Sequence, residues 1–199
     1  MTEPIHTHLG QRGLLPDEHL VDSGYPSAEL LVSSQTDYGI TLLTPILADT
    51  SPQARAGAGF DRTAFAIDFD AQHATCPRGR TSSSWNPVTQ RGTPTIVITF
   101  SKTDRGPCPV RRLCTTSASQ RRQLTVHTQQ VHQAQLTARA TMDTKDFQAR
   151  YALRAGIEGT IRQGVASTGM RHARYRGLDK TRLEHTYAAT ALNLIRLHA

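Results

Sequence analysis

The amino-acid sequence predicts an α/β chain in which a β-rich segment interrupts a set of strands and helices, and three observations predict it. Two short apolar runs near the start, Leu20-Val21-Asp22 and Ile40 to Ile46, flank a stretch that reads as a helix. Between about Ala48 and Thr125, Gly, Pro, Ser and Thr become frequent and the apolar residues alternate, a strand signal. Beyond Leu124 the pattern turns helical, with few breakers.

Taken in order, the first ten residues are polar and predict a weakly anchored end. Leu14 to Glu18 reads as a loop, and Leu20-Val21-Asp22 as a short strand running into Ser23-Gly24, where glycine allows a sharp strand-to-helix turn. Pro26 suits a first helical turn, and the helix is expected through Ala28, Glu29, Leu30 and Leu31 to about Ser34. The strand Ile40 to Ile46 follows. Phe65, Ile67 and Phe69 lie at period two, as do Ile96, Ile98 and Phe100, while Arg78 to Pro94 reads as a turn-rich connection. Thr128 to Ala140 lacks Gly and Pro and predicts a helix. Asp143 or Thr144 could cap a further one from Lys145 to about Gln163. Gly164 to Gly177 is a basic loop. The last helix, Lys180 to Leu197, carries Leu183, Tyr187, Ala191, Leu194 and Ile195 at helical spacing. The expected organisation is 1–48, 49–125 (the β-rich insertion, which holds the cysteines) and 126–199.

The totals narrow the function classes. No apolar stretch approaches the roughly 18 residues a membrane helix needs. The opening Met-Thr-Glu-Pro-Ile-His has neither a basic start nor an apolar core, so no secretory signal is expected and the cytoplasm is the expected location. Residues 1–100 hold 6 Lys+Arg against 10 Asp+Glu, a net of −4, whereas residues 101–199 hold 17 against 6, a net of +11. Most of these cations are arginine, whose planar fork matches phosphate. A basic half of this size fits either a polyanionic partner, most simply nucleic acid, or a solvated face. No Gly-rich phosphate loop, Gly-x-Ser-x-Gly or His-Glu-x-x-His is present, and the nine histidines carry no assigned role.

Two acidic residues stand apart. Asp22 ends an apolar strand in Leu-Val-Asp-Ser-Gly-Tyr, where a rigid element would hold a carboxylate at a sheet edge. An ordinary Asp capping a turn fits the same segment. Glu158 lies in Tyr-Ala-Leu-Arg-Ala-Gly-Ile-Glu-Gly-Thr-Ile-Arg, residues 151–162. There Tyr151, Arg154 and Glu158 fall on one face of a helix, and a surface ion pair between Arg154 and Glu158 is the plainer reading.

Together these segments resemble the DDE transposases of bacterial insertion sequences: Asp-x-Gly-Tyr after a strand, then Tyr-x-x-Arg-x-x-x-Glu more than 100 residues later. The similarity is to the group with a β-rich insertion between the second Asp and the Glu. It extends through Phe60 to Pro77, Pro107 to Thr115, the loop Gly169 to Leu178 and the final helix, roughly residues 14–198 in all. The resemblance implies an RNase H-like core of the ribonuclease H superfamily with a β-rich insertion. It also implies three carboxylates binding two Mg²⁺ or Mn²⁺ ions for cleavage and transfer of DNA strands. Carried over by position, Asp22 and Glu158 would be catalytic metal ligands, and Tyr151 and Arg154 would contact DNA phosphate. Arg162, Arg171, Arg174, Arg176 and Lys180 would add DNA contacts. The implied partner is transposon-end DNA, with a homo-oligomer or an intact transposase as further partners.

The sequence departs from that group in three places. The first catalytic Asp belongs several tens of residues before Asp22, yet the Asp preceding it here is Asp17, in a loop-like Leu-Pro-Asp-Glu. The chain is therefore expected to be N-terminally incomplete and inactive alone, or a non-catalytic DNA-binding or regulatory remnant. A core lacking its opening strands exposes apolar edges, which predicts a marginal or aggregation-prone monomer. Seven positions after Glu158, where the group often has a basic residue, stands Val165, with Arg162 the nearest substitute. Finally, the group often has a further Cys three residues before its Cys-Pro, and Arg105 stands there. Cys76, Cys108 and Cys114 could bind Zn²⁺ with a fourth ligand such as His73, or be buried thiols.

Overall fold

The computed structural model describes residues 2–23 and 27–198, and the chain divides into two compact units, residues 1–143 and 144–199. The architecture is mixed α/β.

The first unit opens with a helix rather than a loose end. Helix α1 (Thr2–Gln11) has Glu3 in its first turn and keeps His6 fully buried. The expectation of a weakly anchored N-terminus fails because the anchor is a histidine, which a search for apolar periodicity does not count. Strand β1 (Glu18–Leu20) precedes Asp22, so the strand lies two residues earlier than expected. Helix α2 (Ala28–Tyr38) runs a full turn beyond Ser34. Ser27 caps it by accepting from the Leu30 N–H at 3.3 Å. Gly39, at φ +70°, ends it by donating to Ser34 and Gln35 carbonyls. The turn expected at Gly24 and Pro26 lies outside the described residues. Strand β2 (Thr41–Leu43) is shorter than the Ile40–Ile46 run and pairs parallel with β1. Val21, Ile40 and Leu42 form a small core here, closed by Leu30, Leu31 and Tyr38.

Short elements follow: α3 (Pro52–Ala56), a 3-10 turn at Arg62–Ala64, β3 (Ala66–Asp68) and β4 (His73–Thr75), the last two an antiparallel pair. The main sheet is antiparallel, in the order β5 (Ser84–Gln90), β6 (Thr93–Phe100), β7 (Arg122–His127). Helices α4 (Lys102–Arg105) and α5 (Arg111–Cys114) lie between β6 and β7 in sequence. The period-two residues Ile96, Ile98 and Phe100 share one face of β6 and face Val126 and Leu124 of β7 in register. With Phe65, Ala74, Cys76 and Cys114 they make the larger core. Two sequence expectations fail in this region. Arg78 to Pro94 contains strand β5, whose Pro87 is tolerated because the strand is at the sheet edge. The helical region does not begin at Leu124, since Leu124 and Val126 alternate inward on β7. Helix α6 (Gln129–Met142) then ends the unit and packs on α2.

The second unit is helical: α7 (Lys145–Ala152), α8 (Ala155–Thr168) and α9 (Leu178–His198). Thr144 caps α7 through the Phe147 N–H at 3.2 Å. The single helix expected over Lys145–Gln163 is broken at Leu153–Arg154, and α8 runs through Gly164 before ending at Gly169, φ +68°. Glycine at 164 permits close packing, because a Cβ there would meet Met170 Sδ at 2.8 Å and Leu192 Cδ1 at 3.0 Å. Helix α9 buries Ala188 and Leu192 and half-buries Ala191, whereas Leu183, Tyr187, Leu194 and Ile195 are exposed.

Candidate metal and nucleic-acid site

Asp22 sits half-buried just past β1. The backbone ladder continues to its neighbour, with Val21 N–H donating to the Leu43 carbonyl at 3.0 Å. The position of Asp22 is thus set by the β1–β2 pair. Its Oδ1 accepts from the Ser23 N–H at 2.8 Å. This is the turn-capping bond that the plainer reading anticipates, and it leaves the carboxylate at the end of a paired strand.

Glu158 stands in the first turn of α8, where the helix dipole favours a negative charge. The break before α8 is bridged by hydrogen bonds, including Arg154 N–H to the Tyr151 carbonyl at 3.0 Å and Ile157 N–H to the Arg154 carbonyl at 2.9 Å. A stack survives the break. Buried Phe147 lies parallel to Tyr151, ring centroids 5.6 Å apart. The Arg154 guanidinium lies 5.8 Å over the Tyr151 ring. Its Nη2 is 3.4 Å from Glu158 Oε1. The Glu158 side chain is 68% exposed and that of Arg154 29%, so an anchored guanidinium holds an outward carboxylate. Tyr151, Arg154 and Glu158 are therefore brought together as their spacing suggested, across two helices rather than along one. Asp22 belongs to the first unit and Glu158 to the second.

The basic residues separate into solvated and engaged groups. Arg162, Arg171, Arg174, Arg176 and Lys180 are all exposed. Arg174 is engaged by Glu184, which accepts its backbone N–H at 3.2 Å and lies 3.8 Å from its Nε. Sequence reasoning passed over Arg196, whose guanidinium joins α9 to α8 through Thr160 at 2.5 Å and Gln163 at 3.4 Å. It also passed over a charged group in the first unit. There burial first, and then Arg62, His127 and Arg139, hold His132 more acidic than usual. Burial would raise Asp49, but hydrogen bonds from Ser51 and the charge of Arg62 leave it below the ordinary carboxylate range. Those partners are too scattered in sequence to signal themselves.

Cys76 and Cys114 pack in the larger core and Cys108 is half-buried, none of them in a disulfide. His73 lies on β4, its Nδ1 3.4 Å from the Ala71 carbonyl oxygen. Among the described residues no group of three or more His, Cys, Asp or Glu side chains is placed to hold a metal ion, so the four-ligand zinc arrangement is not assembled there. No helix among them is long and apolar enough to cross a membrane.

Comparison with known proteins adds one match. A family model described as a transposase DDE domain matches residues 75–198, more than half of the chain. The match includes the Phe147–Tyr151–Arg154–Glu158 stack and the arginine loop, and Asp22 precedes it. No curated protein and no solved structure matches the chain. With the stack, the basic loop and the three-stranded sheet inside the matched span, the chain belongs to the family of transposases with a DDE domain.

Proposed function

We propose that the chain is the C-terminal part of an insertion-sequence DDE transposase, with an RNase H-like core, whose Asp22 and Glu158 converge as ligands of a shared divalent cation. Family membership gives the role in DNA transposition. The observation that carries the finer reading is the stack ending in Glu158, a solvent-facing carboxylate held beside the Arg154 guanidinium. Both carboxylates are hard oxygen donors, which suit Mg²⁺ or Mn²⁺ rather than a softer metal. Such an ion, when bound, supplies Lewis acidity for phosphoryl transfer.

The chain's own residues do the rest. Tyr151 packs under Arg154 and limits its rotamers, and Arg154 is placed to fork onto a DNA phosphate near the cut. Arg162, Arg171, Arg174, Arg176 and Lys180 supply further phosphate contacts, Arg174 only in competition with Glu184. The reading assigns two carboxylates of the triad to this chain. Asp17 is a poor third, since it stands in a loop directly before β1, in Leu-Pro-Asp-Glu, rather than on a strand. The chain alone is therefore expected to bind transposon-end DNA without cutting it.

A second reading, a non-catalytic DNA-binding or regulatory partner of an intact transposase or of another copy of itself, is favoured by the exposed Arg171 and Arg176. Purified chain incubated with terminal-inverted-repeat duplex and Mg²⁺ or Mn²⁺ tests both. Salt-sensitive binding without nicking, together with Mn²⁺ binding lost on Glu158→Gln, is expected. Nicking abolished by Glu158→Gln would overturn the expected inactivity while supporting the metal site. DNA binding with no Mn²⁺ binding would favour the second reading.

A further inference from the structure

A polar cleft of about 440 Å³ lies in the first unit and is lined by none of the residues proposed above. It is lined by the end of β6, the start of α3 and the Thr115–Gln123 return into β7. Thr115, Thr116, Ser117 and Ser119 present hydroxyls, Arg121 and Arg122 present guanidinium groups, and no acidic side chain lines it among the described residues. Water-filled crevices on an ordinary surface mix both signs of charge. This lining joins two guanidinium groups to hydroxyls and amides with no carboxylate, a composition that suits a phosphate.

The return is braced before any ligand arrives. Thr115 Oγ1 donates to the Arg121 carbonyl at 2.9 Å and accepts from the Ser117 N–H at 3.2 Å. Ser117 Oγ and Ser119 Oγ are 2.9 Å apart, and Gln120 takes a left-handed φ of +59° to close the turn. Arg122 is fixed from behind, donating to the Phe60 carbonyl at 3.5 Å and lying 5.6 Å over the Phe65 ring. A fixed donor set loses little freedom on binding.

Gln53 supplies an independent sign. The residue is only 7% exposed and lines the cleft, and its amide keeps contact with the cleft's solvent. An anionic oxygen in the cleft would accept from its N–H groups.

We infer that this cleft grips one phosphodiester of the DNA backbone, with Arg121 and Gln53 donating to its oxygens beside the hydroxyl-rich return. The inference rests on the transposition reading for its ligand, because the cleft chemistry alone would suit any phosphate. It gives the β-rich segment a positioning contact on DNA separate from the C-terminal arginine loop.

The test measures binding of a fluorescent duplex by anisotropy across a salt series, using the whole chain and the Arg121→Ala, Gln53→Glu and Arg91→Ala variants. Arg91 is the charge-matched control, in the β5–β6 turn. It stands roughly 25 Å along β6 from Thr99, at about 3.3 Å per residue. Arg121→Ala should lower the salt slope by about one and weaken binding about tenfold, and Gln53→Glu should weaken it similarly by placing a carboxylate in the cleft. Arg91→Ala should change neither. Equal losses for Arg121→Ala and Arg91→Ala would overturn the inference and leave the DNA reading intact. If the Gln53 side-chain NMR signal shifts with inorganic phosphate at matched ionic strength but not with duplex, the site is for free phosphate and the inference also fails. A wild-type chain that does not bind duplex at low salt would sink both.

Discussion

Glu158→Gln keeps the side-chain shape and removes its charge, which separates a metal ligand from a structural ion pair. The structure bounds the structural part. An exposed i,i+4 pair at 3.4 Å is worth about 0.3–0.5 kcal/mol, and a carboxylate in the first turn of a helix adds about 0.3–1 kcal/mol. The variant should therefore lose no more than about 1.5 kcal/mol. With a urea slope of about 1–3 kcal/mol per molar, the unfolding midpoint followed by circular dichroism should fall by no more than about 1.5 M. The metal effect is of another size. Altering groups behind a ligand typically weakens metal binding about 10–100-fold, so losing a ligand itself should cost at least about tenfold in Mn²⁺ affinity by calorimetry. Unchanged Mn²⁺ affinity with a small stability loss would refute the reasoning and leave Glu158 a surface ion pair. A midpoint drop of several molar would instead make Glu158 a structural residue.

Two further outcomes follow from the packing. Ile98 is fully buried on the central strand, registered against Trp85 and Leu124, so Ile98→Ala should cost about 2–5 kcal/mol; a loss under 1 kcal/mol by urea melting would contradict the assigned core. His6 Nε2 and His19 Nδ1 are 2.9 Å apart beneath α1, and burial lowers both imidazole pKa values, with the charge of His19 adding to the effect at His6. Above about pH 6.5 both rings are mostly neutral, folded or unfolded; below it the unfolded chain takes up protons that the folded pair resists, so docking of α1 weakens as pH falls from about 6.5 toward the lowered values. Hydrogen exchange in α1 should show opening that grows from pH 7.5 to 5.5 beyond the intrinsic rate change, and no such growth would remove His6 as the anchor.

What was legible in the sequence follows from which residues the fold buries. Strand β6 could be read because Ile96, Ile98 and Phe100 alternate inward. Its partners could not, because β5 is an edge strand whose Trp85 and Val88 are split by Asn86 and Pro87 out of any period of two, and β7 exposes Gln123 between Arg122 and the buried Leu124. Helix α1 hides behind a polar composition because its buried contact is an imidazole. The interruption at Leu153–Arg154 has no Gly or Pro to announce it, yet the Tyr151–Arg154–Glu158 spacing still placed the three together, since the ring–cation and ion-pair contacts bridge the break. The α9 residues at helical spacing do not mark its packed face, because Leu192 is the side chain that meets Gly164 of α8 and Ala188 is buried one turn before it. The cleft around Gln53 and Arg121 assembles from segments distant in sequence and has no local motif.

The central claim is that Asp22 and Glu158, carried on separate units, share one ion. Paramagnetic broadening by Mn²⁺ in the isotope-labelled chain addresses it directly, reading the backbone amides of Ser23 and Gly159. The account predicts that both signals broaden over the same range of Mn²⁺ concentration, and that Asp22→Asn or Glu158→Gln alone restores both. Broadening of one amide without the other, or a substitution that spares the distant partner, would contradict it.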